Sequence, residues 1–83
     1  MVKRLVWTDL AKADIRNIEQ PIAIQILKTL ARYVLTGVGA TKQLKGITPP
    51  VIPLRAQDHR VFFRDHSDHL TIERVLHRKE AYR

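Results

Sequence analysis

The chain has 83 residues, no cysteine and a formal net charge of +7, which predicts a single domain over residues 1–83 with a modest core. The lack of cysteine excludes a disulfide framework and a thiolate metal site, and no apolar run approaches the roughly 20 residues of a membrane-spanning helix. The excess of basic residues favours nucleic acid, acidic proteins or anionic surfaces as partners.

The first half of the chain predicts one short strand followed by two helices. Residues 3–7 alternate as a strand does, and Thr8 has the side chain of a helix N-cap. Apolar residues at helical spacing then form one face of a first helix: Ala11, Ile15 and Ile18. Pro21 interrupts this helix and suits the first turn of a second one, which runs over 22–35 and ends near Gly37. We therefore expect a helix hairpin.

The second half predicts three strands joined by polar turns. The strands are expected at 51–54, 59–64 and 70–76, with turns at 56–58 and 65–68. The order is therefore β-α-α-β-β-β, and the fold class is α+β, with an antiparallel sheet that carries the helix hairpin on one face. In the last strand, alternation alone does not decide which side chains face the helices, because a β-bulge would reverse the answer.

This order, together with a set of short motifs along the chain, resembles the RelE/ParE superfamily of toxins from type II toxin–antitoxin systems. The resemblance covers essentially the whole chain. The residues that carry it are Trp7, Ala11, Ile15, Gln43-Leu44-Lys45-Gly46, Leu54-Arg55, Asp58-His59-Arg60-Val61 and the closing run from Val75 to Arg83. The resemblance implies a toxin of such a system.

The superfamily is divided by activity. RelE-like members are ribosome-dependent mRNA endonucleases (mRNA interferases) that need no metal ion, whereas ParE-like members inhibit DNA gyrase and have no nuclease site. A terminal His77-Arg78 followed closely by Tyr82 is more typical of the RelE-like branch. We therefore expect an endoribonuclease that inhibits translation.

Two departures from the RelE-like pattern keep other activities open. Val51 and Pro53 occupy positions where several RelE-like nucleases carry lysine, and Gln57 and His59 replace the glycine and the aromatic residue of the usual hairpin. The alternatives are a gyrase inhibitor without nuclease activity and a non-toxic paralogue that only binds its antitoxin.

Metal-independent RNA cleavage requires cations that bind phosphate and groups that move protons. Arg60 is the first candidate, because the apolar residues that alternate with it would turn it to the open side of the sheet. The resemblance favours Arg78 as a second phosphate ligand, and His77 and Tyr82 as the proton-transfer residues. These four residues form the predicted catalytic set.

Three further basic residues, Arg55, Lys45 and Arg83, are expected to contact the RNA backbone. His59 lies beside Arg60 in the sequence, but it is interpreted as a hairpin residue. The proposed roles of all these residues follow from the pattern of charge and from the resemblance together.

No cofactor and no metal ion are expected, because the histidines near the 65–69 turn match no metal-ligand spacing. The expected partners are a cognate antitoxin, the ribosome and mRNA, with DNA gyrase as the alternative target and operator DNA bound through the antitoxin. No membrane partner is expected. The N-terminal residues lack the apolar segment of a signal peptide, so we expect the protein in the cytoplasm.

Overall fold

The computed structural model of the protein describes residues 4–37, 51–66 and 68–81. Their elements in chain order are β1 (Arg4–Trp7), α1 (Asp9–Arg16), α2 (Gln20–Thr36), β2 (Val51–Ala56), β3 (His59–Asp65), β4 (His69–His77) and α3 (Arg78–Ala81). The predicted order β-α-α-β-β-β is confirmed. The four-residue helix α3 was not predicted, since the expected elements end with the last strand.

The four strands form one mixed sheet in the order β1-β4-β3-β2. The antiparallel pairing predicted for the three consecutive strands is confirmed. A purely antiparallel sheet is wrong, because β1 pairs in parallel with β4, from Arg4 opposite His69 to Trp7 opposite Ile72. The two helices between β1 and β2 form the long connection that allows β1 to lie at the edge beside β4.

The ends of the helices follow the residues that predicted them. The Thr8 hydroxyl accepts a hydrogen bond from the Ala11 N–H (3.1 Å) at the start of α1 and donates one to the Glu73 carbonyl (3.0 Å) on β4. Pro21 lies in the first turn of α2. Gly37 ends α2 with a φ of 72°, a left-handed conformation that glycine adopts without steric cost.

The hydrophobic core lies between the helices and one face of the sheet. Its fully or almost fully buried residues are Ala11, Ile26, Leu30, Leu54, Ala56, Val61, Phe63, Leu70, Ile72 and Val75. Trp7 is partly buried against this cluster. Both α1 and α2 contribute to the core, so these two helices cover the same face of the sheet and neither covers the opposite face, which we call the open face.

A β-bulge settles the orientation of the last strand. Phe62 is opposite Arg74 while Phe63 is opposite Ile72, so Glu73 is the extra residue on β4. The buried positions therefore change from Leu70 and Ile72 before the bulge to Val75 after it. This change of parity is the reason why simple alternation could not orient the strand.

The hairpin between β2 and β3 is tighter than predicted. The turn consists of Gln57 and Asp58 alone, and Ala56, which was expected in the turn, is the last residue of β2 and pairs with His59. Gln57 has a φ of 55°, as two-residue hairpin turns require. This short turn fixes which side chains of the two strands are neighbours.

Candidate functional site

The side chain of Arg60 lies on the open face of the sheet. Its strand neighbours Val61 and Phe63 are fully buried on the helix-covered face, and successive side chains of a strand point to opposite faces. The orientation predicted for Arg60 is therefore confirmed.

Arg55 lies directly opposite Arg60 on the neighbouring strand. The Cβ atoms of such cross-strand partners are about 5 Å apart, and two like charges in this position destabilise a sheet. The Nη1 atom of Arg60 donates to the backbone carbonyls of Gln57 (3.2 Å) and His59 (3.0 Å), which holds the guanidinium near the turn. Its other N–H groups stay available to a ligand. We call Arg55 and Arg60 the arginine pair.

Among the described residues, the arginine pair differs from the other arginines of the sheet because it has no acidic partner. Within residues 4–37, 51–66 and 68–81, neither member forms an ion pair with a carboxylate. The other arginines on or beside the sheet are each within 4 Å of one: Arg4 with Asp68, Arg64 with Glu73, Arg74 with Asp14 and Arg78 with Asp58. No carboxylate of the described residues therefore neutralises the positive charge of the pair.

Arg74 has a structural partner instead. Asp14 on α1 accepts hydrogen bonds from its Nε (2.8 Å) and Nη2 (2.9 Å) and from the Val75 N–H (2.9 Å). Burial raises the pKa of Asp14, but the hydrogen bonds from Arg74 and Val75 and the charge of Arg74 outweigh it, so the pKa lies below its usual value. This contact fastens α1 to the edge of β4 beyond the end of β1.

Arg78 lies at the same end of the sheet as the arginine pair. Its backbone N–H donates to the Asp58 carbonyl in the hairpin turn (2.7 Å), which ties the start of α3 to that turn. The Nε of Arg78 is 3.9 Å from an Asp58 carboxylate oxygen, and 60% of the Arg78 side chain is exposed. An ion pair this long and this exposed contributes little stability, so Arg78 can turn towards an anion at low cost.

His77 lies on the opposite face from the arginine pair. Its cross-strand partner is His59, and the two rings meet edge to face with centroids 5.2 Å apart. The Nδ1 atom of His77 accepts a hydrogen bond from the Lys79 N–H (3.2 Å), so the side chain caps the short helix α3. Leu76, one residue earlier, is the cross-strand partner of Arg60 on the open face.

His59 is more constrained than its interpretation as a hairpin residue suggested. Burial, followed by the charge of His77, lowers the pKa of His59, and the charge of Asp58 opposes this only in part. The Nδ1 atom of His59 is buried and has no hydrogen-bond partner among the described residues. The sequence showed His59 beside Arg60, but its pairing with His77 depends on the strand register.

The predicted site residues thus come together only in part. Arg55 and Arg60 share the open face, Arg78 lies at the same end of the sheet, and His77 is at that end but on the other face. The remaining three, Lys45, Tyr82 and Arg83, lie outside the described residues.

The side chains and helices of the described ranges also bear on metal binding and on membrane insertion. Within these ranges, no three His, Asp or Glu side chains are placed to hold a metal ion together. None of the described helices has the length and apolar character needed to cross a membrane.

The chain belongs to the family of ParE toxins of type II toxin–antitoxin systems (parDE), which matches residues 5–82. This confirms the predicted RelE/ParE superfamily. No curated protein matches the chain.

Solved toxin structures share this fold. The RelE–RelB complex of Pyrococcus horikoshii matches with a TM-score of 0.79 and 15% identity, covering 98% of this chain and 100% of that chain. The DinJ–YafQ complex of E. coli matches with a TM-score of 0.78 and 8% identity over 100% of both chains. The ParDE system of P. aeruginosa matches with a TM-score of 0.64 and 17% identity, covering 92% of this chain and 96% of that chain. At these identities the likeness is one of fold.

Proposed function

We propose that the protein is a ribosome-dependent mRNA endonuclease that inhibits translation in the cytoplasm and is neutralised by a cognate antitoxin. The observation that carries the proposal is the arginine pair: Arg55 and Arg60 are directly opposite on the open face and have no carboxylate partner among the described residues. A like-charge pair of this kind costs stability in the free protein. A bound phosphate would remove this cost.

The chemistry of the proposal is the attack of a ribose 2′-oxygen on the adjacent phosphorus. The bond from phosphorus to the 5′-oxygen breaks, which leaves a 2′,3′-cyclic phosphate and a 5′-hydroxyl. One proton leaves the 2′-hydroxyl and one is delivered to the 5′-oxygen. The phosphorane between these states carries more negative charge than the substrate, so cations fixed around it lower the barrier.

The arginine pair supplies those cations. The hydrogen bonds from Arg60 to the turn carbonyls pre-position its guanidinium, and the planar N–H groups of arginine match the geometry of phosphate oxygens. Arg78 adds a third charge from the same end of the sheet. Arginine stays protonated at neutral pH and cannot accept the 2′-proton. The proton transfers therefore remain assigned to His77 and Tyr82.

Variants of His77 can test whether proton transfer and phosphate binding belong to different residues. Because it lies on the helix-covered face, it would act around the end of the sheet and not across the open face. We expect His77→Ala to slow cleavage less than Arg60→Ala does. If His77 moves a proton, the factor by which His77→Ala slows cleavage should change with pH, whereas the factor for Arg60→Ala should not.

The decisive experiment is a translation extract programmed with one defined message, followed by mapping of the 5′ ends of the products. We expect wild-type protein to cut within the translated frame, and we expect loss of one phosphate-stabilising arginine to slow cutting about 100- to 1,000-fold. Arg16→Ala, at the end of α1 and away from the sheet, is the matched control. Full cleavage by an Arg55→Ala, Arg60→Ala double variant would refute the proposal.

A gyrase inhibitor is the second candidate. It is favoured by the ParE description of the matching family and by the separation of His77 from the arginine pair on opposite faces. Inhibition of supercoiling by purified gyrase, in the absence of message cleavage, would decide for it.

The antitoxin partner is supported by the matching structures, since the E. coli structure is described as a DinJ–YafQ toxin–antitoxin complex and the P. horikoshii structure as a RelE–RelB complex. A net charge of +7 favours an acidic partner segment. We expect the product of a neighbouring gene to co-purify with this protein and to abolish whichever activity the extract and the supercoiling assay reveal.

A further inference from the structure

The outer edge of β1 carries backbone groups that no strand of the described residues pairs with. The Thr8 N–H donates to the Ile72 carbonyl on β4 (3.1 Å), so every second residue of β1, counted back from Thr8, bonds to β4. Leu5 and Trp7 therefore direct their N–H and C=O groups away from β4, towards the side where the described sheet ends. Such an edge is a template for pairing with another strand.

The opposite edge of the sheet, at β2, is interrupted by proline. The hairpin turn is closed by the pair of Ala56 and His59, and hydrogen-bonded pairs recur at every second residue. Leu54 and Ile52 thus bond to β3, and Pro53 between them faces outward. Because proline has no N–H, the middle of this edge lacks a donor. A further strand is therefore better accepted at β1 than at β2.

The side chains of β1 also favour association. Edge strands of monomeric proteins usually carry charges, prolines or bulges that prevent pairing, and β1 has none of these after Arg4. Leu5 is 36% exposed and Val6 is 42% exposed. Leu5 shares the helix-covered face with Trp7, whereas Val6 lies on the open face. A strand added at this edge would cover apolar surface on both faces of the sheet.

We infer that β1 pairs antiparallel with β1 of a second copy of this chain, across a two-fold axis at Val6. Leu5 then lies opposite Trp7 of the second copy, and the two Val6 side chains lie opposite each other. Cross-strand pairs of aromatic and β-branched residues stabilise a sheet, and the outward N–H and C=O groups of Leu5 and Trp7 bond to the second copy. The two four-stranded sheets become one continuous sheet, with both arginine pairs on the same face.

The charges near the axis fit a second copy. In this register Arg4 lies opposite Thr8 of the second copy, one residue from Asp9 of that copy, and no like charges are opposite each other. Among the described residues Asp9 has no ion pair, and Arg4 has only an exposed one to Asp68 at 3.7 Å. The attraction between Arg4 and Asp9 therefore occurs twice, once on each side of the axis.

The net charge of the chain sets the salt dependence of the dimer. Each copy carries +7, so the two copies repel each other at long range. Since salt screens this repulsion, added salt should strengthen the dimer, whereas it should weaken the binding of an acidic segment of another protein at the same edge. The short strand makes a small interface, so the dimer is weak and depends on concentration.

The first test is a disulfide across the axis. The chain has no cysteine, so Val6→Cys carries a single thiol. Opposite residues at such a position have Cα atoms about 4.5 Å apart, which a disulfide can bridge. Under mild oxidation Val6→Cys should form a covalent dimer much faster than the matched control Leu27→Cys, which places a thiol at a similarly exposed site on α2 (43%). Equal rates for the two variants would overturn the inference.

The second test is sedimentation equilibrium of wild type, Leu5→Pro and Leu5→Lys over a range of concentration and salt. Leu5→Pro removes an outward N–H and leaves the bonds to β4 in place, and it should weaken association about 10-fold, the effect of one hydrogen bond lost from each copy. Leu5→Lys adds a charge to the edge and should also weaken association. Thermal melts identify a variant that fails to fold, and the other variant then decides.

Wild type should show a monomer–dimer equilibrium that salt strengthens. A wild-type protein that is monomeric at every concentration and salt would overturn the inference, even if the edge binds a strand of another protein. A dimer that persists unchanged in the folded Leu5 variants would place the contact elsewhere and would also overturn it.

Discussion

Removal of one member of the arginine pair should make the free protein more stable. Arg55 and Arg60 are cross-strand partners, and the hydrogen bonds from Arg60 to the turn carbonyls prevent its guanidinium from swinging away. For charges about 6–8 Å apart in water, Coulomb's law gives a repulsion of about 0.5–0.7 kcal/mol. Arg55 is exposed and can move away in part, so we expect Arg55→Gln to gain about 0.3–0.7 kcal/mol.

The assay is urea unfolding of wild type, Arg55→Gln and Arg16→Gln at low and high salt. Arg16→Gln removes the same charge from the last turn of α1, where a cation is favourable, and it should lose about 0.3–1 kcal/mol. The two variants have the same net charge, so the opposite signs isolate the local effect. The gain of Arg55→Gln corresponds to a melting temperature about 1–6 °C higher.

The stability of both proteins in high salt and in phosphate tests whether the repulsion within the arginine pair is the cause. In 1 M salt the screening length falls to about 3 Å, so the advantage of Arg55→Gln should disappear. Inorganic phosphate should stabilise wild type more than Arg55→Gln, since only wild type has both arginines. An Arg55→Gln protein that is less stable than wild type, or whose gain persists in 1 M salt, would show that the pair is not under electrostatic strain.

Three further predictions concern stability. Asp14→Asn should lower the free energy of unfolding in urea by about 1.5–3 kcal/mol, because a largely buried carboxylate loses charged hydrogen bonds to Arg74. The control Asp68→Asn, at an exposed site, should change stability little. Equal losses in the two variants would contradict this. The folded-state pKa of His59 lies below its ordinary value of 6.5, so the stabilisation that His59 provides is complete above pH 6.5 and is lost as the pH falls through the folded pKa. His59→Gln should therefore flatten the dependence of unfolding free energy on pH below 6.5, and an unchanged slope would contradict this. Thr8→Val should cost about 1–2 kcal/mol by thermal melting, since it removes an N-cap acceptor and the bond to β4, and a melting temperature equal to wild type would oppose this.

The sequence was sufficient for features that depend on neighbouring residues. Helical spacing of apolar residues, with Pro21 at the start and Gly37 at the end, predicted α2 because caps and periodicity act within a few residues of each other. The alternation around Arg60 predicted the face on which it lies for the same reason. The closing motif identified the superfamily that the family match confirms.

The candidate site was predicted only as a set of residues. Arg55 and Arg60 were both identified, but their direct opposition depends on a turn of two residues where the sequence analysis placed three. His77 and Arg60 were expected to act together, but the register places their side chains on opposite faces.

The sequence by itself determined the four strands, the helices α1 and α2, the order of these elements and the positive charge of this protein, since these follow from local spacing and composition. Only the tertiary structure decided that β1 lies beside β4 and that the bulge at Glu73 reverses the faces of β4. It also decided that, among the described residues, carboxylates lie beside the other arginines of the sheet but not beside the arginine pair. The physical reason is that strand register and ion pairing join residues as far apart as Asp14 and Arg74. No pattern within a few residues encodes such contacts.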